Sequence, residues 1–541
     1  MLRLMPLCWL VGVVSLALFF APPLHGQSPR PPTLEQTAYQ QLATVGLAPE
    51  QVSLLIYSTR QNRNLVAINP QMPRIPASTM KLITAWAAWH LLGPNHRWYT
   101  TFSPLLVPTT ENSAALPPDL GAALHEVDLA QWDLGLMVEG GGDPLLSLKD
   151  LDHIAAMLMA AGLHQLKQMN GPLVLDQSYY SEPAFPEAWG LKGEGESWRT
   201  PVTALALERN RIPFTIVVPA QASLPEDVYV FSPLPIAIRN LLRPQGHTLS
   251  YWAQQQTPTQ NNGEYSLVLR GRVPQQQGLF EQVVPVAHPQ DFWAQFLRMA
   301  LWRKGLPAEL PLTTLSPEMT VGETLYRHPS VPLRQVLPVM LKDSDNMIAE
   351  AMLRTMGANQ EQTSTHTPTG LAAVYDLLQG QFGALSRQVV MVDGAGLSTE
   401  NRVTAQFLVE LLRQVVARQP DMNEWIGALP RSGEDGTLTE RALPETMQGL
   451  LRAKTGTLRG VQNLAGLLRI PAQNGQPEDV LLLAFLVHSP RTPTFRLQQA
   501  VDAVLTALFE AIYSAGEQRT QDTPPPAVIT PPLPAAPKNT N

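Results

Sequence analysis

The chain has 541 residues, more than one hydrophobic core usually holds, so we expect two to four structural units. Its 44% of hydrophobic and 15% of charged residues are typical of a globular protein with few surface charges. A formal net charge of −7 and a pI near 5.9 argue against nucleic-acid binding, which needs a basic surface, and give no reason to expect binding to anionic lipids.

Residues 1–26 have the pattern of a secretory signal peptide. Arg3 gives a positive start, Leu7 to Phe20 form an apolar run, and Ala21 to Gly26 offer a cleavage region. The run is shorter than the about 20 residues that span a membrane, and an uncleaved anchor is the alternative. We therefore predict an exported protein of the periplasm or cell envelope.

The ends of the chain also predict the absence of disulfides and a disordered C-terminal tail. The single cysteine, Cys8, lies in the apolar run, so the exported chain would hold no disulfide and no thiol chemistry. Residues 516–541 are rich in Pro, Gln, Thr and Ala, a composition that cannot bury a core, and we predict that this tail is disordered.

Strand patterns occur near both ends of the globular region. Two strands are predicted at Val52–Tyr57 and Leu65–Ile68, and two more at Asn463–Ile470 and Val480–Val487. Apolar residues at helical spacing over Leu497–Ile512 predict an amphipathic final helix. Strands from both ends can share one sheet with the first and last elements adjacent. The pattern predicts an α/β (α+β) sandwich with a buried helix packed on the sheet.

The middle of the chain differs from its flanks. Residues 99–318 are rich in Pro and Gln, with short strand-like runs and one clear helix at Lys149–Ala161. We predict that they form inserted β-rich domains, separate from the catalytic domain and not required for its chemistry. The catalytic domain would then comprise residues 33–98 and 319–515.

Ser78 and Lys81 are the first candidate catalytic pair. Their three-residue spacing puts both side chains on one face of a helix, and the residues that follow, up to Leu92, are mostly apolar, which predicts a buried helix. An amine that has lost its proton can activate a serine hydroxyl, provided that burial or nearby positive charge lowers the lysine pKa. Alone the pair is a weak signal, since Ser78 could be only an N-cap and Lys81 a solvated residue.

Two further segments strengthen the signal. Ser344-Asp345-Asn346 precedes a predicted helix, Met347–Met356, and Lys454-Thr455-Gly456-Thr457 precedes the Asn463–Ile470 strand. The order Ser-x-x-Lys, Ser-x-Asn, Lys-Thr-Gly is the signature of the serine penicillin-recognising enzymes. Asp345 itself is interpreted only as an acid at a helix N-terminus.

The spacing of the motifs indicates which group of these enzymes the chain resembles. The segment between Ser78 and Ser344 is much longer than in β-lactamases of class A. Over roughly residues 33–513 the chain resembles the low-molecular-mass class C penicillin-binding proteins, the D-alanyl-D-alanine carboxypeptidase/endopeptidase family. Further stretches close to that family are residues 140–144 (GGGDP), 175–178 (LDQS), 393–398 (DGAGLS) and 436–438 (GTL). The resemblance implies a penicillin-recognising serine transpeptidase-like sandwich with a large β-rich insertion of two small domains.

The resemblance also implies roles for individual residues. Ser78 would attack the carbonyl of the penultimate D-alanine, Lys81 would take its proton, and Ser344 would relay a proton to the leaving amine. The other expected substrate-binding residues are Asn346 for the substrate amide, with Lys454, Thr455, Gly456 and Thr457 for the terminal carboxylate and the oxyanion. Peptidoglycan peptides would be substrates and β-lactams inhibitors. Ala395 and His488-Ser489 depart from residues common in the family and leave the recognition of substrate side chains open.

No cofactor and no metal are predicted, because the eleven histidines form no His-Glu-x-x-His or paired pattern. Two alternatives stay open: a β-lactamase or esterase on the same scaffold, and a wall-binding protein without turnover. The balance between carboxypeptidase and endopeptidase activity and the oligomeric state are not predicted.

Overall fold

A computed structural model describes residues 33–108, 132–163, 169–190, 196–257, 265–306, 309–358, 366–472 and 477–521. The helices are α1 (Leu34–Thr44), α2 (Lys81–Leu91), α3 (Leu148–Ala160), α4 (Pro289–Arg303), α5 (Leu333–Lys342), α6 (Asn346–Met356), α7 (Thr367–Phe382), α8 (Ala405–Ala417), α9 (Asn423–Gly427) and α10 (Thr494–Gln521). The strands of the first half are β1 (Val52–Ser58), β2 (Arg63–Ile68), β3 (Tyr99–Pro108), β4 (Trp132–Glu139), β5 (Leu173–Asp176), β6 (Arg211–Val218), β7 (Tyr229–Phe231), β8 (Ala237–Pro244) and β9 (Ser250–Gln256). The remaining strands are β10 (Ser266–Val273), β11 (Gly278–Pro285), β12 (Leu312–Thr313), β13 (Thr320–Val321), β14 (Tyr326–Pro329), β15 (Leu451–Leu458), β16 (Val461–Ile470) and β17 (Asp479–His488).

A five-stranded antiparallel sheet joins the two ends of the chain. Its order is β15-β16-β17-β1-β2, and β1 pairs with β17 from Val52 opposite Val487 to Ser58 opposite Leu481. The prediction that strands from both ends share one sheet, with the first and last elements adjacent, is confirmed.

Both faces of this sheet are covered, which explains why β1 is buried at every position. Successive side chains of a strand point to opposite faces. Accordingly Leu54 and Ile56 pack in a core with α1 and α10, whereas Leu55 and Tyr57 pack in a second core with α2, α5, α6 and α8. Helix α2 is buried from Lys81 to Ala88, as its apolar sequence predicts.

The inserted region has a hydrophobic core of its own. It contains a sheet of order β12-β5-β4-β3-β13, on which β14 also pairs with β3, and two three-stranded sheets, β8-β10-β9 and β11-β6-β7. Helices α3 and α4 contribute to the same core. Because β13 and β14 pair with β3, this sheet extends to Pro329 and does not end near residue 318. Strands of two and four residues, such as β13 and β14, have too little periodicity to reveal such an extension. The other predicted domain boundaries stay predictions.

Of the predicted disordered tail and signal peptide, only part of the tail lies within the described residues. Helix α10 continues to Gln521 and therefore includes the first residues of the 516–541 segment for which we predicted disorder. The rest of that segment and the predicted signal peptide at 1–26 lie outside the described residues. Among the described residues, the model has no helix with both the length and the apolar character needed to cross a bilayer.

Candidate active site

Ser78 lies on a 3₁₀ turn, Ala77–Met80, that leads directly into α2. The sequence predicted a position at the start of the buried helix, and the 3₁₀ turn is a local refinement of it. Side chains three residues apart eclipse one another in 3₁₀ geometry, so the Lys81 amine lies beside the serine, with Nζ 3.0 Å from Ser78 Oγ. Ala77 takes a left-handed φ of 46°, and Gly396 approaches its carbonyl so closely that a Cβ would lie 1.9 Å from it.

The Lys81 amine is fully buried and has two further partners. Nζ donates to Asn346 Oδ1 at 2.6 Å and to the carbonyl of Ala395 at 2.7 Å. Burial lowers the pKa of Lys81 to about 7, against an opposing effect of the nearby carboxylates, chiefly Asp393. The amine can therefore exist without its proton near neutral pH, which is the state that a general base needs.

The Ser344-Asp345-Asn346 motif is positioned by the N-cap of α6. Asp345 is the N-cap of α6 and accepts a hydrogen bond from the backbone of Ile348 at 3.0 Å, and Arg211 lies 3.0 Å from its other oxygen. This cap puts Asn346 in the first turn of α6 and leaves Ser344 just outside the helix, with a φ of 57°. Asp345 thus has the helix-terminal position that its sequence context predicted.

The third motif lies on the edge strand β15. Lys454 is fully buried and donates to Ser344 Oγ at 2.9 Å, and burial together with the charge of Lys81 lowers its pKa well below the usual value. Gly456 allows the strand to lie against the nucleophile turn, because a Cβ there would be 2.6 Å from Pro76 O and 3.2 Å from Ser78 N.

The structure brings the eight predicted site residues together. Ser78, Lys81 and Asn346 meet at one amine, and Ser344 meets Lys454. The last three residues, Thr455, Gly456 and Thr457, continue the same strand edge. The hydroxyl of Thr455 hydrogen-bonds that of Thr437 at 2.8 Å, and the hydroxyl of Thr457 donates to Gln462 at 3.1 Å.

Sequence reasoning missed the contribution of the inserted region. The Nδ2 of Asn346 donates to the carbonyl of Trp198 at 2.8 Å, so a backbone group of the insertion touches a residue that holds Lys81. The prediction that the insertion is separate from the catalytic site is therefore wrong at this point. A backbone carbonyl has no side-chain signature, and nothing in the sequence could have indicated this contact.

Asn463 in β16 is a second missed residue. Its buried side chain donates to the carbonyls of Ile75 at 2.9 Å and Pro76 at 2.7 Å and accepts from the backbone of Val487 at 3.1 Å. It thereby ties the turn that carries Ser78 to the central sheet. The available signal was a polar residue directly before the apolar run Leu464–Leu468 of β16.

Two buried carboxylates near Lys81 were also missed. Asp393 accepts from the backbone of Ser398 and other groups of its own loop, and burial raises its pKa. Glu350 of α6 accepts from the backbone of Gly394 at 2.8 Å, and burial raises its pKa to about 7. Within the described ranges, no group of three or more His, Cys, Asp or Glu side chains is arranged to hold a metal ion.

A family model described as D-Ala-D-Ala carboxypeptidase 3 (S13) matches residues 36–109 and 125–498. A D-alanyl-D-alanine carboxypeptidase of Actinomadura sp. (strain R39) is 28% identical over 74% of this chain and 72% of its own length. The D-alanyl-D-alanine carboxypeptidase DacB of Haemophilus influenzae is 26% identical over 80% of this chain and 85% of its own.

The solved structures show the same fold. The crystal structure of penicillin binding protein 4 (dacB) from Haemophilus influenzae matches 88% of this chain and 99% of that chain with a TM-score of 0.66 at 22% identity. A second structure of that protein, in complex with a novel β-lactam, matches with a TM-score of 0.61. The predicted fold class is confirmed.

The role of Asn463 can be measured as stability. Asn463→Ala removes three hydrogen bonds and leaves one buried carbonyl, one partly buried carbonyl and one buried N–H without that partner, so we expect the free energy of unfolding to fall by about 2 to 4 kcal/mol. Urea unfolding gives this value. The matched control is Asn64→Ala, at an exposed position of β2 in the same sheet, which should change the free energy by less than about 0.5 kcal/mol. Equal effects of the two substitutions would contradict the tie between the turn and the sheet.

Proposed function

The chain belongs to the D-Ala-D-Ala carboxypeptidase 3 (S13) family, whose members are serine-type peptidases, and on this premise we propose that it is an exported carboxypeptidase and endopeptidase that cleaves peptidoglycan peptides through an acyl-enzyme on Ser78. The substrate class is supported by the names of the relatives, which are D-alanyl-D-alanine carboxypeptidases. Export is supported by the signal-peptide pattern of residues 1–26.

The observation that best supports this mechanism is the set of partners around Lys81 Nζ. Two of its three neighbours, Asn346 Oδ1 and the carbonyl of Ala395, can only accept hydrogen bonds. A neutral amine has two N–H groups and one lone pair. When both N–H groups donate to these oxygens, the lone pair is left for the third neighbour, the Ser78 hydroxyl at 3.0 Å. The arrangement suits removal of the serine proton during attack.

The oxyanion that forms during attack needs donors close to the nucleophile. We assign this role to the backbone N–H groups of Ser78 and Thr457. The close approach of Gly456 to Ser78 N supports the assignment, because it puts β15 directly against the nucleophile turn. In other enzymes one such donor contributes about 3 to 4 kcal/mol.

The second lysine acts on the substrate and the leaving group. Lys454 donates to Ser344 Oγ, so the Ser344 hydroxyl is oriented to pass a proton to the departing D-alanine amine. A substrate carboxylate bound beside Lys454 would raise its lowered pKa and favour the charged form. Thr455 and Thr457 on the same strand would supply hydroxyl donors to that carboxylate.

Ser78→Ala tests the nucleophile. We propose that β-lactams acylate Ser78, as the complex of the structural neighbour with a β-lactam suggests. The variant should therefore lose covalent labelling by a fluorescent penicillin, measured on denaturing gels, with the adduct mapped by mass spectrometry. Ser386→Ala, at a buried serine that belongs to none of the three motifs, should label like the parent. An adduct mapped to any residue other than Ser78 would refute the assignment.

The same assay separates the alternative functions. Stopped-flow acylation followed by steady-state hydrolysis of one β-lactam should show a covalent adduct that is released slowly. Fast turnover would instead identify a β-lactamase, and the absence of an adduct would identify a wall-binding protein without catalysis.

The general base predicts a pH dependence. Because burial lowers the pKa of Lys81 to about 7, the acylation rate should rise with pH through about 7, as the amine loses its proton, and then level off. Lys81→Arg should lower the acylation rate at least about a thousandfold at every pH from about 5 to 8, since arginine stays protonated. Lys342→Arg, at a partly exposed lysine paired with Asp435, should keep the parent rate. A parent rate that falls from pH 5 to 8 would contradict the role of Lys81.

The carboxylate site predicts a substrate preference. A peptide that ends in a free D-Ala carboxylate should have a higher kcat/KM than its C-terminal amide, by roughly tenfold to a few hundredfold, because charge-assisted hydrogen bonds contribute about 1.5 to 3 kcal/mol each. Release of the C-terminal residue from a pair of matched peptides gives both constants. Equal values would show that Lys454, Thr455 and Thr457 do not bind the carboxylate.

A further inference from the structure

Helix α6 carries a buried polar stripe that the mechanism above uses only at its first position. Asn346, Glu350 and Arg354 follow one another at four-residue intervals, so they lie on one face of the helix. Their exposed fractions are 5%, 0% and 0%. Buried charged side chains on an otherwise apolar helix are costly unless they are paired, which requires a structural or chemical reason for each of them.

The two oxygens of Glu350 have separate partners. Oε2 accepts from the backbone N–H of Gly394 at 2.8 Å, and Oε1 accepts from the hydroxyl of Thr367 at 2.7 Å. The Thr367 hydroxyl also lies 2.6 Å from Glu182 Oε2. The carboxylate therefore joins α6 to the loop at residues 393–398 and to the start of α7.

That loop supplies one of the three partners of Lys81. Ala395, whose carbonyl accepts from Nζ, directly follows Gly394, whose N–H is held by Glu350 and whose carbonyl accepts from Thr84 of α2 at 2.7 Å. Helix α6 thus fixes the amine twice, directly through Asn346 and indirectly through Glu350 and the loop.

We propose that Glu350 is a positioning residue for Lys81: it holds the loop so that the Ala395 carbonyl faces Nζ, and its negative charge is one of those that favour the ammonium form of the amine. This inference rests on the proposed role of Lys81 as the general base.

The charged surroundings support the second half of the proposal. Lys81 is influenced by Asp393 of the loop, Asp345 and Glu350 of α6, Arg211 of β6 and Lys454 of β15. Glu350 is in turn influenced by Asp393 and Arg354, and its pKa of about 7 is close to that of Lys81. Glu350 is one of the carboxylates that raise the pKa of Lys81, so a change in its charge changes the proton affinity of the amine.

The hydrogen bonds that hold the loop can form without a negative charge at position 350. A glutamine at this position can accept from Gly394 N–H with its oxygen and donate with its amide to Thr367 Oγ1. The threonine hydroxyl can then donate to Glu182. Glu350→Gln therefore removes the charge and keeps the hydrogen bonds, whereas Glu350→Ala removes both.

The test is the pH profile of acylation by one β-lactam between pH 5 and 9. For Glu350→Gln we expect a plateau rate within about threefold of the parent and a midpoint lower by about half a pH unit, because the neighbouring negative charge no longer favours the lysine ammonium. Glu350→Ala should lower the rate at all pH values by about tenfold or more. Asp479→Asn, at another buried acid that accepts from Ser58 and from the backbone of Arg60, should leave the midpoint unchanged.

Thr367→Val gives an independent measurement that does not depend on the folding of the Gln variant. It removes one donor from the Glu350 carboxylate, which raises the pKa of that group and leaves it charged less often, so the midpoint should move in the same direction by a smaller amount. Unchanged midpoints in the folded variants, or a shift to higher pH, would overturn the proposal. Lys81→Ala distinguishes a failure of the proposed function from a failure of this inference. If the variant is still acylated, Lys81 is not the general base and the proposed function fails. If it is not acylated, an unchanged midpoint in the Glu350 variants refutes only the role of Glu350.

Discussion

The whole site depends on one lysine amine that is removed from water. A buried ammonium costs several kcal/mol unless opposite charges and hydrogen bonds compensate for the lost hydration. Lys81 Nζ has three neutral oxygen partners, which can satisfy its N–H groups but carry no charge to offset the burial that lowers its pKa. The three partners come from the nucleophile turn, from α6 and from the loop at 393–398, so the chemistry requires that distant parts of the chain fold around one atom.

A second buried lysine, Lys454, makes it still less favourable for the site to hold positive charge. The charge of Lys81 lowers the pKa of Lys454, and both side chains are fully buried. Two interacting like charges that are both removed from water are unfavourable in a medium of low polarity. A substrate carboxylate bound as proposed would favour a charged Lys454, and the repulsion from Lys454 would then favour a neutral Lys81. Binding of the substrate would thus prepare the base that acts on it.

The sequence predicted the parts of the site that lie within continuous segments. The three motifs, the strands that flank them and the buried α2 helix all have local signatures, and the structure brings the eight predicted residues together. The sequence did not predict contacts that depend on backbone atoms of remote segments, such as Trp198 O on Asn346 or Gly394 N on Glu350. Asn463 and Glu350 could have been noticed as polar residues in apolar elements, but their partners could not have been named.

The inserted region is more closely connected to catalysis than its composition indicated, and α6 explains why. At the N-terminal end of this helix, Arg211 pairs with the Asp345 cap and the carbonyl of Trp198 accepts from Asn346. Farther along, Arg354 donates to the carbonyls of Pro183 and Val202. The side chains of Asp345, Asn346 and Arg354 are buried, so removal of the insertion would leave their polar atoms without those partners. Because Asn346 of α6 accepts a hydrogen bond from Lys81, a change in the insertion that moves the helix also changes the position of the proposed base.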